Sequence, residues 1–209
     1  MIKQFSDFST TQAYTGSEKL PAGTAYICRI VGTKVESYDW GQVIAIAFDI
    51  DEGDYKGFYK NQFDTNTSED KKWKGTYRLN VPKDDGTKQD GWTKRRFKTF
   101  TDALEDSNSG YHFDWDETKF KGKLFGATFV NQFYSMDNGT EGTYTAVYDV
   151  ISTTAAKAGK YRKIPDVYVP KKLADAYERY KAGQSSSSEK KEDMGFLNVP
   201  EGTDEDIPF

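Results

Sequence analysis

The fold of this chain is decided by the stretch Gln42-Val43-Ile44-Ala45-Ile46-Ala47-Phe48-Asp49-Ile50. Large apolar side chains at every second position alternate with small or charged ones, which is the period of a strand with one buried face. Turn-forming residues lie before this strand at 36–41 and after it at 51–54. Flanking strands are predicted over 24–35 and 57–63. The sequence therefore predicts a meander of three antiparallel strands.

Beyond this meander, the pattern changes to a helical period and then returns to strands. It predicts a long polar insertion, one helix and two further strands, at 64–92, 93–108, 123–134 and 143–151. The helix is indicated by Phe97, Phe100 and Leu104, which recur at spacings of three and four. The last two strands are predicted to form a hairpin, because Asp137-Asn138-Gly139 is a strong turn signal.

Three strands, a helix and two strands follow one another in the order of an OB-fold, a five-stranded Greek-key barrel. We therefore predict a mainly β protein with an OB-fold-like barrel and one helix between strands 3 and 4. Gly122 precedes the fourth strand and Gly126 lies within it, where a small barrel needs a bend. An SH3-like barrel and an open sheet with one helix are alternatives that also fit this order.

The chain is predicted to consist of three parts. Residues 1–20 form an N-terminal arm and residues 21–183 form the folded domain, which includes a helical extension at 170–182. Residues 184–209 form a flexible acidic tail, because a serine run and mixed charges are typical of a linker.

The formal charge of −4 hides an uneven distribution. The tail at 184–209 holds seven acids and two lysines, a net −5, so residues 1–183 carry about +1 of the total −4. The acidic character of the whole chain therefore does not exclude a nucleic-acid partner.

The single cysteine, Cys28, excludes an internal disulfide and lies in a predicted strand, where we expect a small core residue. Without a signal peptide or a long apolar run, we expect a cytoplasmic protein that does not contact a membrane.

The sequence contains few groups suited to catalysis. His112 is the only histidine, and we expect it to pack at a turn. Asp49, Asp51 and Glu52 follow the central strand, where they could hold Mg²⁺ as a DNA nuclease would require. The same residues are also typical of a solvated hairpin turn, which is the interpretation we favour. We therefore expect a protein that is not an enzyme and binds no cofactor or metal.

Basic and aromatic residues are interleaved in several places along the chain. Proteins that bind single strands combine cationic side chains for the phosphates with aromatic rings on which the bases stack. The predicted nucleic-acid-binding residues are Trp40, Tyr59, Lys60, Trp73, Tyr77, Arg78, Lys94, Arg95, Arg96, Phe133 and Tyr134. Two alternatives stay open: most rings could belong to the core, and the basic run at 94–96 could be only the solvated face of its helix.

The chain ends in Asp204-Glu205-Asp206-Ile207-Pro208-Phe209. Carboxylates followed by apolar residues and an aromatic ring can dock into a pocket of another protein whose basic side chains recognise the acids. The sequence therefore predicts a partner-binding tip. In an alternative interpretation the protein is an interaction adaptor that presents this tip and does not bind DNA. The sequence does not determine the oligomeric state, since no short motif indicates whether the protein self-associates.

Several stretches together resemble the single-stranded DNA-binding proteins encoded by phages and mobile elements of low-GC Gram-positive bacteria. These stretches are Leu20-Pro21-Ala22-Gly23, the run from Ile50 to Phe58, the segments between Phe97 and Leu124, and the tip at 204–209. The resemblance implies an OB-fold that binds single-stranded DNA without sequence preference during DNA replication or recombination, with no catalysis. It also implies that the tip recruits replication, recombination or repair proteins in the host bacterial cytoplasm.

Overall fold

The computed structural model describes Ser6, Phe8 and residues 19–185, in which one sheet is flanked by helices. The strands are β1 Ala25–Tyr38, β2 Gly41–Ile50, β3 Thr76–Asn80, β4 Leu124–Ser135, β5 Glu141–Ile151 and β6 Val167–Tyr168. The helices are α1 Phe58–Thr65, α2 Lys88–Ser107, α3 Thr153–Lys157 and α4 Ala174–Ser185. Two 3-10 turns, Glu117–Phe120 and Lys171–Leu173, precede β4 and α4. The fold is therefore mixed α/β, which corrects the prediction of a mainly β protein.

The sheet is open, and its strands follow the order β3-β2-β1-β4-β5, with β6 added beside β4. All neighbours are antiparallel except β4 and β6. Register shifts near Ile30 in β1 and near Thr128 in β4 mark irregularities that bend a sheet locally. Within the described residues β3 and β5 lie at opposite ends of the strand order and do not pair.

Most of the predicted elements are confirmed with small shifts of their ends. The strands expected at 24–35, 42–50, 123–134 and 143–151 correspond to β1, β2, β4 and β5. The predicted hairpin turn is also confirmed, because the backbone N–H of Met136 donates to the carbonyl of Thr140. The helix expected from residue 93 is α2, which begins five residues earlier at Lys88. Its start is fixed by Thr87, whose side chain accepts a hydrogen bond from the Asp90 N–H.

The strand predicted over 57–63 is wrong, because Gly57 is the N-cap of helix α1 and the other residues lie within that helix. Asp49, at the end of β2, places its carboxylate at the start of this helix. Its Oδ1 accepts from the Tyr59 N–H at 2.9 Å and its Oδ2 from the Lys60 N–H at 3.2 Å. These N–H groups lack partners within the helix, and a negative charge beside them is favourable. The cap comes from ten residues upstream, so the local pattern of the helix does not reveal it.

The third strand of the sheet lies instead inside the segment that was predicted to be a polar insertion. Strand β3 pairs with β2 and places Tyr77 opposite Ile46 and Leu79 opposite Ile44. Gly75, just before β3, passes so close to β2 that an added Cβ would lie 2.4 Å from the Phe48 carbonyl oxygen. A glycine is therefore required where β3 approaches β2.

The core is built largely from phenylalanine rings between the sheet and α2. The ring of Phe48 in β2 meets those of Phe125 and Phe129 in β4, with centroids 5.7 and 6.1 Å away. Phe100 of α2 lies 5.9 Å from Phe125, and all four rings are buried. Cys28 is buried in the same cluster, as expected. Much of the aromatic content of the chain is therefore structural.

Two predicted parts of the chain fall largely or wholly outside the described residues. The N-terminal arm at 1–20 is described only at Ser6, Phe8 and residues 19–20, and the tip at 204–209 is not described. Among the helices that are described, none combines the length and apolar character needed to cross a bilayer.

Candidate nucleic-acid interface

Some of the accessible aromatic and cationic side chains gather at two surfaces on either side of β3. The first, here called the hairpin cluster, consists of Glu36, Tyr38, Trp40 and Arg78 at the β1–β2 turn. The second, here called the helix cleft, is a cavity of about 180 Å³ between β3, α2 and β5. It is lined by Tyr77, Trp92, Arg95, Arg96, Thr99, Tyr148, Asp149 and Val150.

The hairpin cluster presents two stacked rings to solvent. The centroids of Tyr38 and Trp40 lie 5.2 Å apart, with an angle of 7° between the ring planes. The two residues are 43% and 42% exposed. Because Tyr38 ends β1 and Trp40 immediately precedes β2, a tight turn holds the pair at the end of the sheet. A flat, exposed aromatic surface of this kind is suited to stacking on another planar group.

Arg78 of β3 fixes the positions of these two rings. Its guanidinium donates to the Tyr38 hydroxyl oxygen at 2.6 Å and lies 2.8 Å from the Glu36 carboxylate. The Tyr38 hydroxyl in turn donates to Glu36 at 2.7 Å, and this bond, with the nearby guanidinium, lowers the pKa of Glu36. Partial burial opposes the charge on Arg78, but its bonds to Tyr38 and Glu36 outweigh burial and raise its pKa. The ring of Tyr38 is therefore held in one orientation by a charged network.

Three contacts between a guanidinium and an aromatic ring lie in or beside the helix cleft. The Arg95 guanidinium carbon lies 5.0 Å from the centroid of Trp92, which is 39% exposed. Arg96 lies 5.4 Å from the centroid of Tyr77 and donates to its hydroxyl at 3.0 Å. On the opposite wall, Arg162 lies 4.2 Å from the ring of Tyr148. Such contacts are favourable because the face of a ring carries partial negative charge.

The charge of this cleft is mainly positive. Asp149, the one acid of its lining among the described residues, is already held by Arg162, whose second guanidinium nitrogen lies 2.7 Å from the carboxylate. That hydrogen bond raises the pKa of Arg162. Within residues 19–185, no carboxylate forms an ion pair with Arg95. Arg95 therefore gives the cleft a positive charge that no acid of residues 19–185 neutralises.

Tyr77 lines the helix cleft but is itself buried and stacked on Phe100. Four further predicted ring residues are occupied by packing. Tyr59 is buried against Phe48, and this burial raises its pKa. Trp73 is half-buried and donates its indole N–H to the Phe48 carbonyl oxygen at 2.9 Å. Phe133 is buried under α4 and Tyr134 is buried beside Tyr144. The structure therefore places these rings away from both accessible surfaces.

Two predicted cations lie on the surface but are engaged with neighbouring acids. Lys60 pairs with Asp64 one turn later in α1. Lys94 pairs with Asp84 and lies 3.2 Å from Asp90. Exposed pairs of this kind contribute little to stability, and the acid of each pair competes with a phosphate for the lysine. Of the basic run at 94–96, Arg95 and Arg96 line the cleft and Lys94 does not.

The carboxylates considered for a nuclease are each held by donors within the protein. Asp49 is buried and caps α1, as described above. Asp51 accepts two hydrogen bonds from Arg29, at 2.6 and 3.0 Å, and these lower its pKa. Glu52 pairs with Lys157 at 2.8 Å. Within the described residues, no group of three or more acids, histidines or cysteines could hold a metal ion.

Four aromatic or cationic residues in or beside the two surfaces were not among the predicted site residues, namely Tyr38, Trp92, Tyr148 and Arg162. Two of them carry a signal in the sequence. Tyr38 lies in the turn predicted at 36–41, two residues before the predicted site residue Trp40. Trp92 precedes Arg95 by three residues, which is a contact distance on a helix. Tyr148 and Arg162 reach the cleft through the pairing of distant segments, which no local pattern reveals.

Both surfaces have to be interpreted from their own geometry. The resemblance to phage single-stranded DNA-binding proteins stays a prediction. No protein-family model matches the chain, and no curated protein matches it significantly.

Proposed function

We propose that this protein binds single-stranded DNA without catalysis and without sequence preference. The observation that carries the proposal is the exposed Tyr38–Trp40 stack of the hairpin cluster, held in place by Arg78. A base can stack on a flat ring whatever its identity, because every base has an aromatic face. Bases in a duplex are covered by their neighbours, so this surface favours unpaired strands.

The cations of the same sheet face support this proposal. The pairing of β1 with β2 and of β2 with β3 places Lys34, Ala45 and Arg78 side by side in one row. Lys34 is exposed and lies 3.6 Å from Glu36, which is too far for a strong hydrogen bond. Arg78 is engaged by Glu36 and Tyr38, so a strand that stacks on the hairpin cluster can place a phosphate beside Lys34 in preference.

The topology supports the same function. Strands β1, β2 and β3, and β1, β4 and β5, are neighbours as they are in an OB-fold, whose barrel is often partly open. We propose that the sheet is an OB-type barrel left open between β3 and β5. OB-folds bind oligonucleotides over strands 2 and 3 and beside the loop between strands 1 and 2. The hairpin cluster lies in that region.

The geometry favours binding over cleavage. A Mg²⁺-dependent nuclease would need Asp49, Asp51 and Glu52 to turn toward one ion. Instead, Asp49 is used by three backbone N–H groups, Asp51 by Arg29 and Glu52 by Lys157. We further propose that the tip at 204–209 recruits proteins of DNA replication, recombination or repair. That role rests on the sequence pattern of the tip.

Tryptophan fluorescence tests the proposed contact. Unlabelled oligo-dT is expected to quench the wild-type protein, because a base stacked on Trp40 lowers its emission. The variant Trp40→Phe keeps a stacking ring but should lose a measurable part of the quenching. Trp115→Phe is the matched control, since Trp115 is 80% exposed and lies in neither surface. Equal fractional quenching in Trp40→Phe and the wild type would contradict the proposal.

A further inference from the structure

We propose that the helix cleft is a second subsite for the same DNA strand, which crosses the outer edge of β3 between the two surfaces. The inference rests on the proposed function and assigns the cleft a specific task. One base stacks on Trp92, and the neighbouring phosphates are held by Arg95 and Arg96. The binding track then extends from the hairpin cluster to the α2 side of the protein.

The chemistry of the cleft fits a nucleotide better than an apolar ligand. Its lining combines exposed indole with guanidinium groups, which present planar hydrogen-bond donors suited to phosphate oxygens. Arg95 already lies over the ring of Trp92, so a phosphate beside Arg95 brings its base close to that ring. In the described part of the chain, Asp149 is the single acid of this lining, and its pairing with Arg162 weakens its repulsion of the strand.

The position of the cleft relative to the hairpin cluster follows from the pleat of β3. Successive residues of a strand point to opposite faces of the sheet. Tyr77 therefore lines the helix cleft, whereas its neighbour Arg78 contacts Tyr38 in the hairpin cluster. Two adjacent residues of β3 thus belong to the two surfaces. At this strand, the two surfaces are separated only by the thickness of the sheet.

The outer edge of β3 is available for such a crossing. Strand β3 is the last in the order of the sheet, and no strand in the described part of the chain pairs with its outer side. Thr76 is exposed and Arg78 is partly exposed, so these two residues offer a path over the edge, whereas the ring of Tyr77 is buried beneath it. Because a polynucleotide is a flexible chain of repeated base and phosphate units, it can contact both surfaces at once and gain affinity from their linkage.

A length series of oligo-dT tests this inference, with lengths from about 4 to 16 nucleotides, the range of site sizes known for OB-folds. The wild type is expected to gain affinity with length until both surfaces are occupied. The double variant Trp92→Ala/Arg95→Ala should stop gaining affinity at a shorter length. For the longest oligonucleotide we expect at least about a fivefold loss, the lower limit for one lost base stack.

Lys98→Ala is the matched control, because Lys98 is an exposed cation of the same helix that does not line the cleft. Thermal melts of both variants show whether α2 remains folded, and the milder Arg95→Gln replaces the double variant if it does not. If the cleft variant follows the wild type at every length, the inference is overturned while the proposed function stands. If the wild type binds none of the oligonucleotides, the proposed function itself fails.

Discussion

Replacing Tyr38 and Trp40 together by alanine is expected to weaken binding of oligo-dT at least about 30-fold, since each base stack contributes about 1–3 kcal/mol. The two rings stack on each other, so removing one alone leaves a surface on which the second can still bind a base. Their effects are therefore coupled, and the double variant gives the clearest result. Fluorescence anisotropy of a labelled oligonucleotide measures the loss.

Two control variants separate stacking from indirect effects in this experiment. Tyr38→Phe keeps the ring and removes the hydroxyl that joins Arg78 to Glu36, so we expect most of the affinity to remain. Trp115→Ala removes an exposed indole that lies in neither surface, and we expect wild-type affinity. If the double variant binds as tightly as the wild type, the hairpin cluster is not the site of base stacking.

Replacing Asp49 by alanine is expected to lower the free energy of unfolding by about 3 kcal/mol, since it leaves three backbone N–H groups without their acceptor at about 1–3 kcal/mol each. These groups belong to Ile50, Tyr59 and Lys60, and they lie 2.8–3.2 Å from the carboxylate. For a protein of this size, the loss corresponds to about 6–12 °C in melting temperature. Chemical denaturation followed by circular dichroism measures the change.

A neighbouring acid, Asp54, and the conservative substitution Asp49→Asn provide the controls for this variant. Asp54→Ala removes an exposed acid of the adjacent turn and should change the stability by less than about 0.5 kcal/mol. Asp49→Asn keeps one oxygen acceptor and should lose less than Asp49→Ala. An Asp49→Ala protein as stable as the wild type would show that the start of α1 does not depend on this carboxylate. It would also make a role for Asp49 as a ligand of Mg²⁺ a hypothesis again.

The elements that could be predicted are those whose signal is local. Strand β2 combines large apolar and small residues with a strict period of two, and its partners in the sheet bury the large ones. Strand β3 has only Tyr77 and Leu79 as a comparable signal, within a polar segment. Helix α1 was mistaken for a strand, because what fixes its start is Asp49, which lies outside the helix.

The candidate site was predictable only in part for a related reason. The helix predicted over 93–108 does not include Trp92, and its contact with Arg95 was therefore not predicted. The pattern Thr87-Lys88-Gln89-Asp90, a hydroxyl residue followed three positions later by an acid, is a helix-start signal that would have placed Trp92 on α2. Which rings are accessible depends on tertiary packing. Tyr59 and Phe133 therefore could not be distinguished from Trp40 by sequence.

The most direct test of the central claim is an anisotropy titration of labelled oligo-dT with the full chain, at low and at physiological salt, beside a duplex of the same length. The account predicts saturable binding to the single strand, weaker binding at the higher salt because phosphate contacts release counterions, and much weaker binding to the duplex. Absence of binding to the single strand at low salt, or equal affinity for the duplex, would contradict it.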